Sequence, residues 1–131
     1  MSGKKAILIV DDEAILRMSL RQELRLKFGT GILYETAMNG EAGLAMIGKL
    51  RTEGISVVLV ISDWLMPGMR GDEFLKEVHA RYPEIRLIML SGHAEANIMD
   101  GLFREPDRYA FINKPSRSNV LYDLVSKALA G

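Results

Sequence analysis

Residues 6–10 form an apolar run of Ala6, Ile7, Leu8, Ile9 and Val10 with no polar residue among them. A short, branched run without alternation is the pattern of a strand buried on both faces. Residues 57–61 and 87–90 repeat it, and residues 32–36 and 109–112 are shorter candidates. Between these runs the period lengthens. Leu16, Leu20, Leu24 and Phe28 recur at four-residue steps, and Phe74, Leu75, Val78 and Tyr82 line a second helical face. Val120, Leu121, Leu124, Val125, Ala128 and Leu129 line a third, with Ser116 placed to cap its start. Residues 40–50 read as a further helix, although Gly43 costs ~1 kcal/mol there relative to alanine. Residues 94–103 make the remaining helix, ending before Pro106.

Five buried strands alternating with five helices call for a parallel sheet covered on both faces and joined by right-handed crossovers, a doubly wound α/β domain. In such sheets polar ligands sit beyond the carboxyl ends of the strands, where strand order reverses. The residues that follow the runs are Asp11, Asp12 and Glu13, then Asp63, then Ser91 and Gly92, then Lys114 and Pro115. The carboxylates of Asp11, Asp12 and Asp63, a hydroxyl and an ammonium on one edge suit a divalent cation and a phosphoryl group, because hard oxygen ligands select Mg²⁺ and a lysine offsets phosphate charge. Each piece alone has a plainer reading. Asp12 and Glu13 could cap the helix they open, Asp63 could start the turn at Met66, Pro67 and Gly68, Ser91 could begin a loop, and Lys114 could be solvated. Their coincidence at four strand ends favours the site.

With 131 residues the chain has the length of one globular domain, and no linker, repeat or low-complexity stretch divides it. It has no cysteine, which excludes disulfide staples and thiolate metal sites. Seventeen basic residues balance seventeen acidic ones, so the chain lacks the basic excess that draws a protein to nucleic-acid phosphates. Its apolar runs fall far short of the ~20 residues needed to span a bilayer, and no signal-peptide core opens the sequence. A cytoplasmic protein without membrane insertion or direct nucleic-acid contact is expected.

Taken in order, Asp11 and Asp12 after the first run, Ser62 and Asp63 before Met66, Pro67, Gly68 and Gly71, Ser91 after the fourth run, and Lys114 and Pro115 before the last helix resemble the receiver domains of two-component response regulators. The likeness covers almost the whole chain. It implies a flavodoxin-like receiver fold of the chemotaxis type, a five-stranded sheet of order 2-1-3-4-5 with five helices, filling residues 1–131 as a single receiver domain without an output domain. It makes Asp63 the phospho-acceptor. Asp11, Asp12, Asp63 and the backbone carbonyl of Leu65 become the Mg²⁺ ligands, Asp12 the more direct of the acid pair. Ser91 and Lys114 become the groups that bind phosphoryl oxygens, Ser91 and Phe111 the switch pair, and His93 a modulator of phosphoryl loss.

A carboxylate is nucleophilic at neutral pH without an adjacent base, so no Ser–His or Cys–His pairing is needed. The resemblance implies a sensor histidine kinase or phosphotransfer protein as donor. It also implies homodimer or output-domain contact through residues 94–103, the fifth strand and the last helix. The chain is then a signalling phospho-acceptor rather than a turnover enzyme. The competing enzyme reading is an aspartate-nucleophile phosphatase of haloacid-dehalogenase type. That chemistry wants a second acid two residues after the nucleophile, and Leu65 stands there. His79, on a helix away from the strand ends, is expected at the surface.

Overall fold

The computed structural model describes residues 3–63, 71–91, 109–113 and 118–130. In chain order these form β1 (Lys5–Val10), α1 (Ala14–Phe28), β2 (Leu33–Ala37), α2 (Gly40–Thr52), β3 (Ser56–Asp63), α3 (Gly71–Arg81), β4 (Arg86–Ser91), β5 (Tyr109–Asn113) and α4 (Ser118–Ala130). The strands make one parallel sheet of order β2-β1-β3-β4-β5. The doubly wound fold and its strand order are those expected. The helix anticipated over residues 94–103 and the cap at Ser116 lie outside the described residues.

Burial on both faces of the sheet is what removes polar alternation from its strands. Ala6, Leu8 and Val10 of β1 pack with Ile47 and Leu50 of α2 and with Phe74, Leu75 and Val78 of α3. Ile7 and Ile9 point the other way, into a core with Leu24 of α1 and Leu121, Val125 and Ala128 of α4. The β3 strand changes face partway. Its Val57 belongs to the α2–α3 core, whereas Leu59 and Ile61 belong to the α1–α4 core. The pairing with β1 gives the cause: Ala6 stands beside Val57 but Ile7 stands beside Leu59, which leaves Val58 as an extra, bulged residue.

Gly43 sits in α2 where a side chain has no room. A β-carbon there would lie 2.9 Å from Phe74 Cζ and 3.1 Å from Val10 Cγ2. The helix-propensity penalty of this glycine therefore permits close contact between α2, α3 and β1. Asn39 opens the same helix by accepting the Ala42 N–H at 2.7 Å.

The apolar face expected on α1 needs one correction. Leu24 is fully buried and Leu20 and Phe28 pack against the core, but Leu16 is 43% exposed. Four-residue steps advance about 40° beyond a full helical turn each time, so a row that buries Leu24 has already rotated away from the sheet at Leu16. Ile15 (78% exposed), Met18 (66%) and Leu26 (79%) stand on the outer face of this helix, Ile15 and Met18 one turn apart and Leu26 beyond Gln22. Its inner seam with α4 is closed by an edge-to-face contact of Phe28 with Tyr122, and the Tyr122 hydroxyl donates to Glu23 at 2.7 Å. On the other side the Tyr34 hydroxyl donates to the Gly29 carbonyl; burial pushes this phenol above its usual range against the pull of Arg25.

Candidate functional site

The bulge at Val58 lies below the site, and the ladder above it is regular. Ile9 stands beside Ile61 and Val10 beside Ser62. Asp11 and Asp63 follow these pairs at the same edge and on the same face. Asp12 comes next on the connection into α1. The three carboxylates are brought together, with one oxygen of each within 4.8 Å of the others.

Their surroundings differ. Asp11 and Asp63 are each only 6% exposed, while Asp12 is open to solvent. Asp11 is held through its N–H, its side chain and its carbonyl. Its N–H donates to the Ala37 carbonyl at 3.1 Å, one carboxylate oxygen accepts the Glu13 N–H at 2.9 Å, and its carbonyl accepts from Arg17 Nη1 at 2.7 Å. The capping alternative for the acid pair is not realised in this form: Glu13 occupies the N-cap position of α1 without a side-chain cap bond. The Asp12 carboxylate has no hydrogen bond or ion pair among the described residues. Buried Ser62 turns its hydroxyl back to the Asp63 carbonyl at 3.0 Å, so it is satisfied locally.

Three carboxylates this close repel one another unless a cation joins them. Their hard oxygen donors, two buried and one open, fit a divalent cation that keeps part of its water shell. Ser91 is the last residue of β4, registered beside Asn113 of β5, and Phe111 is registered beside Met89. The backbone thus brings the ends of β4 and β5 to the same edge as the acids. Leu65, His93 and Lys114 lie outside the described residues. His79 is half-buried rather than exposed, close to the carboxyl end of α3 and so at the opposite end of the fold from the acids. Arg17 is the residue that reading the strand ends passes over, because it reaches the site from within a helix.

Residues 7–126 match the response regulator receiver domain family. The chain belongs to this family. Over 130 residues the receiver domain is 35% identical to the hydrogenase transcriptional regulatory protein HoxA of Cupriavidus necator, covering 98% of this chain and 25% of that one. It is 30% identical to the sensor kinase CckA of Brucella abortus over 98% of this chain and 13% of that protein. The chain therefore spans a quarter or less of these curated relatives. The crystallised receiver domain of NtrX from Brucella abortus superimposes with a TM-score of 0.78 at 28% identity, covering 95% of this chain and 98% of that one. Among the described residues of this receiver domain no helix is long and apolar enough to cross a membrane.

Proposed function

We propose that this receiver domain accepts a phosphoryl group on Asp63 from a phosphohistidine of a sensor kinase or phosphotransfer protein, and that it does so as a cytoplasmic signalling unit rather than a turnover enzyme. The observation that carries the reading is the meeting of Asp11, Asp12 and Asp63 at the carboxyl ends of β1 and β3. One Asp63 oxygen attacks phosphorus, the bond from phosphorus to the donor nitrogen breaks, and its electron pair stays with the imidazole. Asp12, Asp11, Asp63 and the Leu65 carbonyl hold Mg²⁺, which supplies when bound the positive charge that lets three carboxylates share a site with phosphoryl oxygens. Lys114 and Ser91 take the remaining oxygens, and Ser91 with Phe111 relays occupancy to the surface that includes β5 and α4. His93 tunes how long the phosphoryl group survives. The phosphoryl group shifts that equilibrium only by the difference in its contacts between the two states.

Incubation with acetyl phosphate and Mg²⁺, followed by mapping of the modified residue, tests the assignment. One phosphoryl group per chain is expected at Asp63, and Asp63→Ala should abolish it. Stoichiometric labelling of that variant would remove Asp63 from the role. Multiple turnovers of a generic phosphomonoester would instead favour the phosphatase reading.

A further inference from the structure

Arg17 stands on the first turn of α1, half-buried, and its guanidinium donates through Nη1 to the carbonyl of Asp11 at 2.7 Å. That carbonyl belongs to the peptide between Asp11 and Asp12. The bond therefore fixes the plane that relates the two carboxylates. Its own backbone N–H donates to the Glu13 carbonyl at 3.1 Å, so backbone and side chain of one residue hold both ends of the short connection that carries the acids. Among the described residues the guanidinium has no carboxylate partner. A helix arginine that spends its charge on a main-chain carbonyl beside three carboxylates, rather than on one of them, is placed to hold a curve and not to neutralise the cluster.

We infer that Arg17 is a positioning residue whose clamp on the Asp11 carbonyl sets the preference of the acidic site for a small, octahedral cation over a larger one. The inference rests on the metal-binding role proposed for Asp11, Asp12 and Asp63. Mg²⁺ demands near-ideal octahedral geometry, while Ca²⁺ accepts longer bonds and irregular shells, so rigidity of the ligand frame separates the two. A nearby positive charge repels both divalent ions alike and cancels from the ratio of their affinities. Geometry does not cancel.

The test is that ratio. Trp64 follows Asp63 in sequence and serves as the fluorescent reporter for titrations with Mg²⁺ and with Ca²⁺ at fixed ionic strength, in the parent, Arg17→Ala and Arg17→Lys. Outer groups that orient metal ligands typically change affinity by roughly 10–100-fold when removed, so the Mg²⁺ to Ca²⁺ affinity ratio of Arg17→Ala should fall about tenfold. Arg17→Lys keeps the charge but not the planar fork, and its ratio should fall in the same direction. Far-UV circular dichroism confirms which variants are folded, and Arg17→Lys decides if Arg17→Ala is not. Equal changes in both affinities would show a charge effect alone, and two unchanged affinities in folded protein a purely structural role; either leaves the ratio where it was and overturns the inference. Failure of the parent itself to bind Mg²⁺ would overturn the metal-binding role and the inference with it.

Discussion

At the residue scale the two members of the acid pair are not equivalent. Asp11 has one oxygen occupied by the Glu13 N–H and is buried, whereas Asp12 is open and makes no hydrogen bond among the described residues. A carboxylate with no partner among the described residues gives up no bond to them, only water, when it takes a cation. Asp12→Ala should therefore weaken Mg²⁺ binding by roughly tenfold or more. Asp11→Asn retains an oxygen for the Glu13 N–H and should cost less. Fluorescence titration of both variants checks the order, and a stronger effect at Asp11 would mean that the open acid is not the principal ligand. Asp12 could be nominated from the sequence because a residue after a buried parallel strand has few places to go. Arg17 could not, since nothing in a helical arginine announces that its side chain turns back to a carbonyl six residues earlier.

At the element scale Gly43 is where helix propensity and packing disagree. Replacing it with alanine gains ~1 kcal/mol of helix propensity. The new β-carbon would meet a fully buried Phe74 ring at 2.9 Å and the Val10 side chain at 3.1 Å. Overpacking a closed core typically costs 1–3 kcal/mol, so Gly43→Ala should be destabilising by about 1 kcal/mol net. Trimming the ring in Gly43→Ala/Phe74→Leu should cost less than the sum of the two single changes. Urea midpoints for the four proteins of that cycle measure the coupling, and a more stable Gly43→Ala protein would contradict the contact. The elements themselves were legible because strands buried on both faces must be apolar throughout. For the same reason the bulge at Val58 was hidden. With every residue from 57 to 61 apolar, nothing in the pattern marks where the strand changes face.

At the scale of the whole molecule, the doubly wound sheet and the convergence of its strand ends followed from the alternation of elements and the strand order from the resemblance, while the outer face of α1 followed from neither. Leu16, Leu20, Leu24 and Phe28 marked a core-facing row and left Ile15, Met18 and Leu26 unplaced. The structure leaves Ile15, Met18 and Leu26 in water. The chain as a whole carries no net charge at neutral pH and has a pI near 6.7. Near that pH colloidal repulsion is at its weakest, and exposed apolar side chains are free to bring molecules together. Solubility should pass through a minimum near pH 6.7, which light scattering across a pH series would locate. Leu26→Gln removes apolar area without altering charge, so it should make that minimum shallower and leave Asp63 labelling unchanged; identical scattering from the two proteins would clear Leu26 of responsibility. On this account the outer face of one helix would set the concentration at which the domain can be handled, through attraction between molecules rather than through anything within one.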